Sequence, residues 1–258
     1  MARRAYDNCS KRKRKRWRQR ELNSVAAEVD TQTGDSRLVE EYEPPHVGCY
    51  TIRMNTTLFL IRHAEVEAAY QGVFGGTIDM NLSPRGEQQA ATLANYLRTQ
   101  KFDLIFSSPM KRVQQTLAPL LKQPRSTPIV LPKLHEVDFG DWTGLNFPDV
   151  KARFGYDAHQ WLELLAAGTI PNGENLDSYR DRINGCLQTI LKQSAGKTVG
   201  VFCHGGVIRM LMSLLLNLPF AEMDRFEIEY TSITIVVLKP ERARLQLSNF
   251  TPWRDLPS

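Results

Sequence analysis

The chain has 258 residues, of which 42% are hydrophobic, and this is enough to bury the core of one large domain. Its formal net charge of +5 is unevenly placed: residues 1–20 carry +9, residues 21–53 carry −5 and residues 54–258 carry +1. The nearly neutral C-terminal part excludes a nucleic-acid-binding surface over the whole domain, because such a surface needs many cations facing phosphate.

Residues 1–53 are polar, segregated in charge and poor in periodic apolar positions. We therefore predict a mostly disordered basic and acidic extension over residues 1–53, followed by one domain over residues 54–258. The run KRKRKRWRQR at residues 11–20 is typical of segments that bind nucleic acid or anionic surfaces. The segment 3–20 is therefore a candidate binding site for such a partner. A solvated tail without a partner, or a translation start placed too early, accounts for the same composition.

Regular elements begin at residue 57 and alternate between strands and helices. The predicted extended segments are Thr57–Ile61, Phe102–Ser107, Pro128–Leu134, Lys197–Cys203, Ser232–Leu238 and Arg244–Leu247. The predicted helices begin at Ser83-Pro84 and Ser108-Pro109 and continue with Phe154–Ala167, Leu176–Leu191 and Val207–Leu216. This alternation predicts a three-layer α/β domain in which helices flank a mainly parallel central sheet.

Five polar side chains follow the predicted strands, at the edge where parallel sheets bind their ligands. They are Arg62, His63, Arg112, Glu136 and His204. Each alone has a plainer interpretation, such as a structural histidine or a surface ion pair. Because all five are predicted at one edge of one sheet, we expect them to form a single site.

Four segments carry a resemblance to a known family. They are LIRHAE at residues 60–65, SSPMKR at 107–112, LHEVDFGDWTG at 134–144 and VFCHGG at 201–206. In this order they resemble the histidine phosphatase superfamily, in the branch of phosphoglycerate mutases, fructose-2,6-bisphosphatases and α-ribazole phosphatases. The resemblance covers about residues 57–250 and implies a phosphoglycerate mutase-like fold.

The resemblance also implies a role for each of the five side chains. It makes His63 the nucleophile, Glu136 the proton donor, and Arg62, Arg112 and His204 the phosphate pocket, with His204 also in the catalytic set. The residue types suit this chemistry, since a neutral imidazole nitrogen can attack phosphorus and form a phosphohistidine. A guanidinium group can donate two parallel hydrogen bonds to phosphoryl oxygens and stabilise their negative charge.

Two further donors to the phosphate are expected. A protonated His204 would donate one hydrogen bond. The backbone N–H groups at the start of the predicted Ser108-Pro109 helix favour an anion at the same edge.

Departures from the mutase pattern favour a hydrolase. Mutases usually have Asn where this chain has Gly206, and the Gly205-Gly206 form resembles phosphatases. Mutases have Lys where this chain has Phe147, and they carry an Arg-Arg pair that is missing between Glu136 and Gly173. We therefore expect a phosphomonoester hydrolase whose partner is a small phosphorylated metabolite.

The sequence specifies the reaction more closely than it specifies the substrate. The segment Ile170–Glu174 and the compact spacing most resemble α-ribazole 5′-phosphate phosphatases and broad-specificity phosphatases. The alternatives are a phosphoglycerate mutase and a catalytically degenerate interaction domain. The latter is kept open by Ala64, where the family has Gly, and by Ala69, where it has an Asn that helps to hold phosphate.

Neither a metal nor a nucleotide cofactor is implied, because the chain has no HExxH motif, no P-loop and no GxGxxG after a strand. The four cysteines fit no metal-ligand spacing and no dense disulfide framework, which favours a reduced, cytoplasmic setting. The apolar stretch Val207–Leu216 is too short to span a bilayer. The oligomeric state is left open.

Overall fold

The computed structural model of the chain describes residues 55–122 and 127–256. The predictions for the extension at residues 1–53 lie outside this part. No helix in the described ranges is both long and apolar enough to span a membrane.

Six strands form one sheet. They are β1 (Thr56–Arg62), β2 (Leu104–Ser107), β3 (Ile129–Val130), β4 (Thr198–Cys203), β5 (Ile233–Leu238) and β6 (Ala243–Phe250). Their order across the sheet is β3-β2-β4-β1-β5-β6. The first four strands are parallel, whereas β5 pairs antiparallel with both β1 and β6. The predicted mainly parallel sheet is confirmed.

Seven helices are described around this sheet. They are α1 (Pro84–Tyr96), α2 (Lys111–Leu121), α3 (Phe147–Phe154), α4 (Trp161–Ala166), α5 (Leu176–Gln193), α6 (Gly205–Leu216) and α7 (Pro252–Asp255). Short 3₁₀ turns join them at Ala68–Tyr70, Leu97–Thr99, Pro132–Leu134, Gly140–Trp142, Ala158–Gln160 and Phe220–Arg225. The predicted cap of α1 is confirmed, since the side chain of Ser83 accepts a hydrogen bond from the backbone N–H of Gly86 at 2.9 Å.

Helices cover both faces of the sheet, and this burial explains why the inner strands β1, β2, β4 and β5 are largely apolar, whereas the edge strand β6 alternates polar and apolar residues. Leu58 and Leu60 of β1 point into a large cluster that includes residues of α5 and α6. Ile61, with the opposite orientation, packs in a second cluster with residues of α1 and α2. Because side chains alternate along a strand, the two clusters lie on opposite faces. The predicted three-layer arrangement is confirmed.

Several predicted boundaries are wrong, among them the following three. Helix α2 begins at Lys111 and not at Pro109. The Ser108 hydroxyl bonds to a histidine and accepts from the backbone N–H of Met110 at 3.3 Å, but it does not cap α2. The segment predicted as one helix from Phe154 to Ala167 is interrupted by Gly155, which has φ +78° and ends α3. The third extended run is a strand only at Ile129–Val130 and then turns at the 3₁₀ helix Pro132–Leu134.

Candidate active site

The two candidate histidines follow neighbouring parallel strands. In the register of β1 and β4, Arg62 lies opposite Cys203, so His63 and His204 leave the sheet side by side. The backbone N–H of His63 donates to the carbonyl of Cys203 at 3.1 Å. The two imidazole ring centroids are 5.3 Å apart. Residues separated by 141 positions thus meet through strand pairing, as the sheet-edge rule predicts.

The hydrogen bond of His63 fixes its tautomer. Its Nδ1 lies 2.8 Å from the carbonyl oxygen of Ala64. Since a carbonyl can only accept, Nδ1 carries the proton and Nε2 keeps a free lone pair. Burial, followed by the charges of Arg112 and Arg62, holds the pKa of His63 well below its usual value near 6.5. The imidazole is therefore neutral at neutral pH, as a nucleophile requires.

His204 is also neutral, which corrects the expectation of a protonated donor. Burial and then the charge of Arg112 hold its pKa well below the usual value. Arg112 Nε donates to its Nδ1 at 3.2 Å, so the ring proton lies on Nε2. That proton is directed at the hydroxyl oxygen of Ser108, 2.8 Å away. His204 can still donate one hydrogen bond, from Nε2.

Arg112 extends from the first turn of α2 and is only 2% exposed. All three of its side-chain nitrogens are engaged. Besides the bond to His204, Nη1 donates to the carbonyl of Ile78 at 2.7 Å and Nη2 to that of Gly76 at 3.2 Å. Burial lowers its pKa to about 10, so it stays charged at neutral pH. The guanidinium group is thus held rigidly.

Arg62 is held by fewer hydrogen bonds. Its Nη1 donates to the carbonyl of Ile228 at 2.6 Å. Its Nε is buried and has no partner among the described residues. Its Cζ atom lies 4.2 Å from the ring centroid of Tyr230. A buried, unpaired N–H in a cationic pocket is suited to an incoming anion.

Glu136 is held by two backbone amides. Its Oε1 accepts from the N–H of Val137 at 3.0 Å, and its Oε2 accepts from the N–H of Gly206 at 3.1 Å. Gly206 belongs to the first turn of α6, and this helix begins directly after His204. The proton-donor candidate is therefore attached to the same helix start as the second histidine.

One pocket joins most of these groups. Four of the five predicted residues line it, namely Arg62, His63, Arg112 and Glu136. His204 is fully buried and lies behind the surface, against Arg112 and Ser108. The other wall is mainly apolar and aromatic, formed by Val66, Tyr70, Val73, Phe74, Met80, Phe139, Phe147, Trp161, Ile228 and Tyr230.

Sequence reasoning missed Arg209, which also lines the pocket. A Cβ atom added at Gly205 would lie 3.5 Å from both Arg209 Nη1 and Arg62 Nε, so the two guanidinium groups are close. Burial and then the charge of Arg62 lower the pKa of Arg209 to about 10. Its position one helical turn after Gly205 is the signal that could have identified it.

Ser108 was also missed as a site residue, because a Ser-Pro pair is a strong helix-start signal.

No group of three or more His, Cys, Asp or Glu side chains is placed to hold a metal ion within residues 55–122 and 127–256. The positive charge of the pocket comes from the chain's own arginines.

Comparisons with known proteins identify the family. The family model of the histidine phosphatase superfamily (branch 1) matches residues 58–251. Phosphoserine phosphatase 1 of Hydrogenobacter thermophilus is 29% identical, over 75% of this chain and 92% of that protein. The adenosylcobalamin/alpha-ribazole phosphatase of Escherichia coli is 27% identical, over 74% of this chain and 95% of that protein. The crystal structure of the alpha-ribazole phosphatase from Shigella flexneri has a TM-score of 0.66 at 25% identity, covering 76% of this chain and 96% of that one.

The chain belongs to the histidine phosphatase superfamily, branch 1, as its four motifs predict. Other relatives include a broad-specificity phosphatase of Saccharomyces cerevisiae and a phosphoglycerate mutase of Bartonella bacilliformis. The relatives of this chain thus include phosphatases and a mutase. Which of the two reactions the chain catalyses depends on its own pocket and not on family membership.

Proposed function

We propose that the chain hydrolyses phosphate monoesters through a phosphohistidine at His63. One observation carries this proposal: a neutral imidazole with a free Nε2 lone pair lies in one pocket with Arg62 and Arg112. Nε2 attacks phosphorus and the bond to the ester oxygen breaks, while Glu136 gives that oxygen a proton. Water then attacks the phosphohistidine, Glu136 takes the water's proton, and the phosphorus–nitrogen bond breaks to release phosphate.

The arginines and His204 hold the phosphoryl group in this scheme. Arg62 and Arg112 donate to its equatorial oxygens, where the charge of the transition state lies. His204 donates from Nε2, whose proton is directed at Ser108 in this structure. Arg62 and Arg112 supply the positive charge that a metal ion provides in other phosphatases, so we propose metal-independent chemistry.

The leaving group is proposed to be uncharged and to carry a flat apolar face. The charged side chains that line the pocket, Arg62, Arg112, Arg209 and Glu136, surround the phosphate end, and the rest of the wall is mainly aromatic and aliphatic. The relatives are named for α-ribazole phosphate, for phosphoserine and for a broad range of phosphate esters, and among these the apolar wall favours α-ribazole 5′-phosphate or a broad range of small esters over phosphoserine.

A substrate comparison tests this function. We expect phosphate release from p-nitrophenyl phosphate and α-ribazole 5′-phosphate in EDTA, with slower release from phosphoserine and 3-phosphoglycerate. Isomerisation of 3-phosphoglycerate without phosphate release would instead establish a mutase. No turnover of any ester by the folded protein would favour the interaction domain.

We place the reaction in the cytoplasm. Cys186 and Cys203 are buried free thiols, which fit a reducing compartment. Detection of the tagged, full-length chain in a cytoplasmic or a secreted fraction tests this placement.

A further inference from the structure

Tyr230 lies outside the four sequence motifs, three residues before β5. Its ring covers the guanidinium of Arg62, with 4.2 Å between the Arg62 Cζ atom and the ring centroid. The same ring lies 5.7 Å from the imidazole of His63, measured between ring centroids. Tyr230 also lines the pocket. One aromatic side chain therefore contacts both the candidate nucleophile and its neighbouring cation.

Arg62 needs such a support more than the other arginines of the pocket. Arg112 and Arg209 each donate from all three side-chain nitrogens to acceptors within the described chain. Within the described chain the guanidinium of Arg62 donates one such bond, through Nη1, and its buried Nε has no partner among the described residues. The ring of Tyr230 is thus the second contact that restricts this guanidinium.

The backbone beside Tyr230 is built at a conformational cost. Thr231 has φ +55°, in the left-handed region that β-branched residues rarely adopt. Its N–H donates to the carbonyl of His63 at 3.1 Å, and the carbonyl of Tyr230 accepts from Trp253 Nε1 at 3.1 Å. Strain held in place by such bonds is a reason to look for a function at that position.

We propose that Tyr230 is a positioning residue of the phosphate pocket. Its ring face holds the guanidinium of Arg62 by a cation–π contact, so that the unpaired Nε–H stays available to the phosphoryl oxygens. The proposal rests on the proposed function, because it takes Arg62 to be a phosphate ligand. The ring is the acting part, and the hydroxyl group is not required.

Inorganic phosphate is the probe, with its dissociation constant measured on the full chain by calorimetry. Tyr230→Phe keeps the ring and should bind phosphate within about threefold of wild type. Tyr230→Leu removes the ring and should weaken binding by about 10- to 30-fold, the value of a desolvated cation–π contact. If the leucine variant does not fold, Tyr230→Met removes the ring with a side chain of similar length.

A double-mutant cycle separates positioning of Arg62 from general packing. In an Arg62→Ala background, Tyr230→Leu should change phosphate affinity by less than twofold. An undiminished effect in that background, or an equal loss in Tyr230→Phe and Tyr230→Leu, would overturn the positioning role. Wild-type phosphate affinity in Tyr230→Leu would overturn this proposal alone, whereas a wild-type chain that binds no phosphate would overturn the proposed function with it.

Discussion

At the scale of single residues, Glu136 and Gly206 depend on each other. The Gly206 N–H donates to one carboxylate oxygen of Glu136, and a Cβ atom added at Gly206 would lie 2.5 Å from the other. Only glycine leaves room for both the helix start and the carboxyl group. Gly206 therefore restricts where the carboxyl group of Glu136, the proposed proton donor, can lie.

Gly206→Ala should displace the Glu136 carboxyl group. A misplaced catalytic group costs on the order of 10²-fold, so we expect kcat for an alkyl phosphate to fall by roughly 10- to 100-fold. Steady-state kinetics with an alkyl phosphate measure this loss. The matched control is Gly185→Ala in α5, where an added Cβ meets nothing within 4 Å. An unchanged kcat in Gly206→Ala would contradict the proposed placement of the acid.

Glu136→Gln keeps the shape of the side chain and removes its acid. Proton transfer contributes about 10²- to 10⁴-fold, and poor leaving groups need it most. We expect a loss on the order of 10²-fold or more for an alkyl phosphate and less than about 10-fold for p-nitrophenyl phosphate. Rapid-quench measurement of the phosphorylation step compares the two. Equal losses for both esters would count against the acid role.

Sequence motifs identified His63, Arg62, Arg112, Glu136 and His204, and the structure places all five at one sheet edge. The protonation state of His204 was not predictable, because it depends on full burial beside Arg112. Nor was the bond to Ser108, which joins residues 96 positions apart. Such properties arise from packing between elements and leave no local pattern.

At the scale of elements, Arg182 of α5 connects the segment that carries Glu136 to the rest of the fold. It pairs with Glu174 through two bonds of 2.7 Å, and both side chains are largely buried. Its Nη1 also donates to the carbonyls of Lys133 and His135. One guanidinium group thus fixes the loop that precedes Glu136, the proposed proton donor.

Arg182→Leu should destabilise the protein and misplace Glu136. It leaves the largely buried Glu174 carboxylate without its cationic partner and with only the 3.4 Å hydrogen bond from the backbone N–H of Asp138, which costs about 3 kcal/mol in the free energy of unfolding. Urea denaturation measures this change. The matched control is Arg180→Leu on the same helix, whose partner Asp177 is 88% exposed and whose loss should cost less than about 1 kcal/mol. Equal costs for the two variants would show that the buried pair is not structural.

Element boundaries were predicted less well than element types. Helix α3 was missed as a separate helix, although Asn146 caps it by accepting from the N–H of Asp149 at 2.8 Å. The apolar spacing beyond residue 154 suggested one longer helix, and the break at Gly155 is set by its left-handed backbone. The start of α3 at Asn146 and its end at Gly155 can be predicted from the sequence only if the capping residue and the glycine are given more weight than the apolar periodicity.

At the scale of the whole molecule, the burial of two neutral histidines links stability to pH. In the unfolded chain each has a pKa near 6.5, and in the fold both pKa values lie well below this. Below about pH 6.5 the unfolded chain therefore binds more protons than the folded chain, so the free energy of unfolding falls as the pH falls. Above about pH 7.5 neither group contributes a pH dependence.

Between about pH 6.5 and 5.5 the slope should be at most about 1.4 kcal/mol per pH unit for each buried histidine. His63→Gln should remove one histidine's share of this slope, as measured by urea denaturation across the range. The control is His159→Gln, at an exposed histidine, which should keep the wild-type slope. A slope unaffected by His63→Gln would mean that this imidazole is not held neutral by the fold.

The layered fold was predicted from the alternation of elements, but the order of its strands was not. Strands β1 and β4 pair so that residues 141 positions apart in the sequence lie opposite each other, and this pairing brings the two histidines together. No local sequence pattern specifies that register. The antiparallel edge formed by β5 and β6 carries the turn of Tyr230 and Thr231 against the pocket.

The most direct test is transfer of phosphate to His63. Full-length protein is mixed with radiolabelled substrate in EDTA, quenched within one turnover and digested for peptide mapping. We predict about one phosphoryl group per chain, on the peptide that contains His63, and none in His63→Ala, which should also release no phosphate. Phosphate release by His63→Ala at the wild-type rate would contradict the proposed mechanism.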